Sequence, residues 1–154
     1  MNSAATRPFG WHDGFLLGHS PMDDVHEEFV ELVAALRTTP DDGVAAVLDA
    51  LADSAQQHFD AEDGWMVESD FPARDCHIAE HTAVMASITG VRRRVAEGDV
   101  PAARRLADAL ADWFPAHADY LDSALAQWLC KRRLGGKPVV LRRHLDLSAL
   151  PAVR

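Results

Sequence analysis

His58 and Glu62 stand four positions apart in the segment QHFDAEDGWM, and His77 and His81 stand four apart in HIAEH. On an α-helix, side chains at that spacing lie about 40° apart around the axis and one turn along it, so two donor atoms can converge on one point. Imidazole nitrogen converging with carboxylate oxygen is metal-ligand chemistry, because neutral imidazole and ionised carboxylate are the forms that cations prefer. His26, in MDDVHEEF, and His117, in WFPAHADYLD, add two imidazoles, and Asp122 follows His117 by five positions. A five-residue step is about 140° around a regular α-helix, so helical geometry alone does not place Asp122 on the same ion as His117.

The elements that must carry these residues form four helical stripes. Met22, Val25, Phe29, Leu32, Val33 and Leu36 recur at three- and four-residue steps until TTPDDG. Val44, Val47, Leu48, Leu51 and Ala55 lead into His58 and stop near SDFP. A third stripe runs from about Asp75 through Ile78, Val84, Met85, Ile88, Val91 and Val95 to EGD. The fourth begins near Pro101, a residue suited to a first helical turn, and passes Leu106, Leu110, Trp113, Leu121 and Trp128 before GGKP. Four amphipathic helices joined by short turns predict an all-α fold, an up-down-up-down antiparallel four-helix bundle.

Extended along their own periods, these stripes bring the histidines and Glu62 to the bundle axis. A buried polar group without a partner costs ~2–7 kcal/mol, against a whole-domain stability of ~5–15 kcal/mol. Several such penalties at once are unsustainable, so the groups must be satisfied together, as a bound metal does. Five histidines and two carboxylates exceed the four ligands of a tetrahedral zinc, and calcium or magnesium takes oxygen donors. Two neighbouring iron or manganese ions, with carboxylates able to bridge, match the donor set. The Glu-x-x-His pattern of ferritin-like bundles does not occur in the chain.

With MDDVHEEF, HFDAEDGWM, HIAEH and WFPAHADYLD in order, and Trp11 ahead of the first helix, residues 11–133 resemble the hemerythrin family, in particular its single-domain bacterial members. The resemblance implies two iron ions in the bundle core. His77, His81 and His117 would bind one and His26 and His58 the other, with Glu62, Asp122 and an oxo or hydroxo group bridging them. One position on the second iron would stay open, and its implied use is reversible binding of dioxygen for storage, delivery or sensing. Phe29, Phe59, Met66, Trp113 and Phe114 lie within a turn of these residues and either line a dry ligand pocket or are simply bundle core. A di-iron enzyme acting on peroxide, nitric oxide or ferrous iron is the competing reading. Against it, no further acid or base is obliged to face the open position. A third reading is an O2- or redox-responsive switch working through the C-terminal tail. Two departures are Ala118, where many relatives have a larger aliphatic residue, and Cys76 beside His77.

Charge and length bound the remainder. The 154-residue chain has a net charge of −9, which argues against a nucleic-acid partner. That total conceals −15 over residues 1–130 and +6 over residues 131–154. The expected organisation is an N-terminal arm over 1–20, the bundle over 21–134 and a basic tail over 135–154. The tail either docks back on the acidic bundle or meets a protein partner or an anionic membrane surface. No apolar run approaches the ~18 residues of a membrane span, and the N-terminus lacks a signal-peptide core, so the expected location is cytoplasmic. Cys76 and Cys130 are too few for a disulfide framework. His12, His19 and His144 fall outside the stripes and read as ordinary surface or loop histidines.

Overall fold

The computed structural model describes residues 8–134, without the side chains of the last two. Residues 135–154, which carry the expected tail contacts and His144, lie outside the described residues. Four helical rods make the bundle: α1 (Ser20–Thr38), α2 (Val44–Glu68), α3 (Arg74–Ala96), and a fourth built from α4 (Val100–His117), a π turn (Ala118–Asp122) and α5 (Ser123–Leu134). α1 packs on α2, α2 on α3, α3 on α4, and α4 closes the ring on α1. This is the antiparallel four-helix bundle that the stripes predict.

Local chemistry sets where each rod begins and ends. Pro21 occupies the first turn of α1, where its missing N–H has no intrahelical acceptor to lose. Asp23 accepts from the backbone N–H groups of Leu17 at 2.8 Å and Gly18 at 3.2 Å, tying the arm to the start of α1. Gly18 sits at φ 84°, a left-handed conformation that glycine takes without strain. Between α2 and α3, the Trp128 indole donates to Ser69 O at 3.2 Å and Ser69 Oγ at 3.0 Å, fastening that turn to α5. The Asp99 carboxylate caps α4 through the N–H of Ala102 at 3.2 Å.

Two apolar clusters fill the interior. The larger holds Phe15, Phe29, Val33, Leu51, Phe59, Leu110 and Phe114 among others; the smaller holds Met22, Met66, Phe71, Leu125 and Leu129. Three of the rods change from one cluster to the other at their polar residues: Met22 then His26 then Phe29, Phe59 then Glu62 then Met66, Phe114 then His117 and Asp122 then Leu125. The polar residues therefore form a seam with an apolar cap at either end. Phe15, from the short turn Asp13–Phe15 ahead of the bundle, inserts into the larger cluster edge-on to Phe114 at 5.2 Å.

No helix among the described residues is long and apolar enough to cross a membrane.

Candidate metal centre

The seam gathers all seven of His26, His58, Glu62, His77, His81, His117 and Asp122, none more than 3% exposed. Their donor atoms fall into two overlapping groups, each with every donor within 4.8 Å of the others. One contains His77, His81 and His117 with Glu62 and Asp122; the other contains His26 and His58 with the same two carboxylates.

The carboxylates are divided between the groups atom by atom. Glu62 Oε2 contacts His58 Nε2 and lies 3.2 Å from His26 Nε2, while its Oε1 lies 3.5 Å from His77 Nε2 and 3.6 Å from His81 Nε2. Asp122 Oδ2 lies 3.1 Å from His26 Nε2, while its Oδ1 lies 2.9 Å from His77 Nε2 and 3.2 Å from His117 Nε2. Every imidazole presents Nε2 inward, and each carboxylate offers one oxygen to each side.

Asp122 reaches this position through the π turn. The Ser123 N–H bonds to the carbonyl of Ala118, five residues back rather than four. The widened turn rotates Asp122 back toward His117 and removes the 140° offset expected of a regular helix. Pro115, inside α4 and two residues before His117, lacks the N–H that would bond to the Ala111 carbonyl, so the helix is already loosened there. The stripes alone predict one uninterrupted fourth helix, and the π turn departs from that expectation. Single-turn π bulges are rare and gather at functional sites.

Hydrogen bonding behind the rings identifies what the cavity is built to hold. His81 Nδ1 is 2.8 Å from Asp63 Oδ1, and His117 Nδ1 is 2.8 Å from Glu80 Oε1. With the Nδ1 protons donated to carboxylates, both rings turn bare Nε2 lone pairs inward, and those two nitrogens are 3.3 Å apart. Two lone pairs cannot hydrogen-bond to each other; a cation between them satisfies both. His58 Nε2, His77 Nε2, Glu62 Oε1 and both Asp122 oxygens likewise make no hydrogen bond among the described residues. Buried polar atoms in native proteins are nearly always satisfied, so a concentration of exceptions in one cavity marks a ligand site. Nitrogen and oxygen donors in this mixture fit transition ions, and a pair of them uses every donor.

Protonation in the metal-free cavity follows the same logic. Burial opposes a proton on His26, but the charge of Asp122 and the charge and hydrogen bond of Glu62 outweigh it and raise its pKa to about 10. His77 is raised to about 9 by the same balance of burial against Asp122 and Glu62. Burial, reinforced by the fields of His77 and His117, lowers His81 to about 3. For Glu62, burial and the Asp122 charge favour the neutral acid, yet His58 and His26 hold it down to about 2. Asp122 is also held well below its ordinary value, its burial overcome by His26, His117 and His77. The cavity requires positive charge, and without a metal two protons supply it.

The apolar residues expected near the site divide. Phe114 meets His26 edge-on at 5.3 Å, Phe29 meets His58 at 5.9 Å, Phe59 stacks on His81 at 4.1 Å, and Trp113 lies against His117 at 4.2 Å. Met66 belongs to the other apolar cluster, with Met22 and Leu125. His12 and His19 lie outside both donor groups. His19 is not a surface residue, however: it precedes α1 at 5% exposure, edge-on to Trp65 at 5.0 Å.

Sequence reading missed Asp63 and Glu80. Each bonds to a ring on the next helix, across α2–α3 and α3–α4, so the period of one helix carries no trace of the pairing. The available signal was the acidic residue directly beside a candidate ligand in both ED and EH.

Comparison with known proteins agrees with this geometry. The chain is 36% identical over 122 residues to the bacteriohemerythrin of Ralstonia nicotianae, covering 79% of this chain and 89% of that protein. It is 25% identical over 122 residues to a hemerythrin of Sipunculus nudus, covering 79% and 94% respectively. Residues 17–129, which span the whole seam, match the hemerythrin HHE cation binding domain, and the chain belongs to that family.

Proposed function

We propose that this chain binds dioxygen reversibly at a pair of iron ions held in the seam. His77, His81 and His117 hold one iron and His26 and His58 the other, while Glu62 and Asp122 each give one oxygen to either ion beside a bridging oxo or hydroxo group. The observation that carries this reading is the inequality of two donor groups sharing both carboxylates: three imidazoles on one side and two on the other. The side with one protein donor fewer is where an external ligand finds room.

When bound and reduced, the iron pair supplies the two electrons that dioxygen takes up and later returns. The chain's contribution is to keep that exchange dry and reversible. Phe114 and Phe29 stand against His26 and His58, both fully buried, and Phe59 lies 4.8 Å from His58. Excluding water there slows loss of the bound ligand as peroxide. A peroxide- or nitric-oxide-reducing enzyme needs a proton donor beside the open side, and the non-ligand rings packed on His26 and His58 are phenyl rings. Membership of the hemerythrin family supports the carrier reading further.

The test is spectroscopic. The purified protein is reduced anaerobically, exposed to O2 and then degassed while visible absorption is followed. A band that appears with O2 and disappears on degassing is expected. Irreversible bleaching with turnover of added peroxide or nitric oxide would assign the site to an enzyme instead.

A further inference from the structure

The two imidazole groups differ in number and also in what stands behind the rings. His81 and His117 each place Nδ1 2.8 Å from a carboxylate, Asp63 and Glu80 respectively. On the other side, neither His26 Nδ1 nor His58 Nδ1 has a hydrogen-bond partner among the described residues. His77, on the same side as His81 and His117, also has an Nδ1 without a partner among the described residues, so carboxylates stand behind two rings of one group and none of the other. Both carboxylates serve the same metal position.

An acceptor anion behind an imidazole draws the Nδ1 proton toward itself, so the opposite nitrogen becomes a stronger donor. Stronger donation stabilises the higher oxidation state of the ion it reaches. Two such imidazoles on one ion and none on the other make the pair electronically unequal before any ligand arrives. Glu80 is held for this task, because the indole N–H of Trp113 donates to the same Oε1 at 2.8 Å while the ring lies over His117.

Resting on the di-iron reading above, we propose that Asp63 and Glu80 are positioning residues that make the iron held by His77, His81 and His117 the first to give up an electron. In that step a one-electron outer-sphere oxidant such as ferricyanide takes one electron from the di-ferrous pair. The product is a ferric ion with three imidazoles beside a ferrous ion with two.

The experiment uses the full chain loaded with iron, with Asp63→Asn and Glu80→Gln singly and together. Both amides keep an oxygen that accepts the Nδ1 proton, so folding and ring orientation are preserved while the negative charge is lost. Anaerobic potentiometric titration should show the first oxidation shifted to more positive potential in each single variant and further in the double, with two irons per chain throughout. In 15N-histidine protein oxidised by one electron, electron–nuclear double resonance should count three imidazole nitrogens on the ferric ion. In the metal-free protein, long-range 1H–15N correlation should show His117 as the Nδ1–H tautomer in the native chain and in Glu80→Gln, but not in Glu80→Ala. Unmoved potentials with both irons retained, or two imidazoles on the ferric ion, would overturn this inference and leave the di-iron reading standing. A native chain holding fewer than two irons would overturn both.

Discussion

Asp122 follows His117 by five positions, yet His117 Nε2 lies 3.2 Å from Asp122 Oδ1. The π turn over Ala118–Asp122 holds one residue more than an α-helical turn and absorbs the excess spacing. Removing one residue should therefore restore a regular helix without disturbing the register of Phe114 and Leu125 on either side. Asp119 is the suitable residue, since it is exposed. Its deletion should leave the melting temperature of the metal-free protein unchanged or higher and keep metal bound, because Asp122 then follows His117 by four positions, the spacing at which side chains converge on a regular helix. Circular dichroism melting and metal content after gel filtration measure the two effects. Loss of metal in the deletion variant would show that the π turn does more than absorb the extra residue between His117 and Asp122.

Donor division makes a graded prediction for single substitutions. Glu62→Gln weakens an oxygen on both sides, so both metals should be lost together. His77→Ala removes a donor from one side and leaves its partner Asp122 Oδ1 without its 2.9 Å neighbour, so the loss should be greatest at the three-imidazole position. His12→Ala should keep the native metal content, because His12 is exposed and its Nδ1 is engaged by the Gly14 N–H at 3.1 Å. Elemental analysis of the three variants separates these outcomes; equal metal in His77→Ala and His12→Ala would contradict the assignment.

How much of this is legible in the sequence follows from what each feature depends on. The rods can be read because burial of one face imposes a three- and four-residue period on the sequence, broken by Pro, Gly and Asp at the turns. The convergence of His58 with Glu62, and of His77 with His81, can be read because both pairs obey that period. Asp122 violates it, and its placement depends on a π turn that no propensity rule announces. Asp63 and Glu80 are set by contacts between helices, so their partners emerge only when the rods are packed. Met66, one turn past Glu62, falls in the opposite apolar cluster because the seam is a single layer and neighbouring turns lie on either side of it.

Phe114 tests whether the apolar cap matters to the chemistry as well as to the packing. It is fully buried and touches Phe15, Phe29 and His26 with ring centroids at 5.2, 5.6 and 5.3 Å. Phe114→Ala should cost about 3–5 kcal/mol, the usual loss for truncating a buried aromatic ring. The cavity it leaves borders His26, so water gains access to the side proposed to take dioxygen. The oxygenated state should then decay faster than in Phe114→Leu, which fills more of the space. Equal lifetimes in the two variants would show that the ring contributes packing alone.

Removing the metal should expose a pH dependence that the loaded protein lacks. Without metal, folded His26 and His77 titrate at about 10 and about 9, whereas the unfolded chain releases those protons near 6.5. Between those values the folded state binds more protons than the unfolded state, so stability must fall as pH rises from about 6.5 toward 9 or 10. On the acid side, folded His81 refuses a proton until about pH 3, and Glu62 stays ionised to about 2. Asp63, raised to about 6 by burial and the Glu62 charge, takes up a proton in the folded state over nearly the range where His81 does not. The two offset each other, so stability falls steeply only below about 4.5, where Glu62 stays ionised. The metal-free protein should be most stable between about pH 4.5 and 6.5 and lose melting temperature on either side of that range. In the loaded protein the inward nitrogens bind metal instead of protons, which removes the alkaline limb. A decline between about pH 7 and 9 of equal size with and without metal would mean that the buried charge of Glu62 and Asp122 is balanced by something other than these imidazoles.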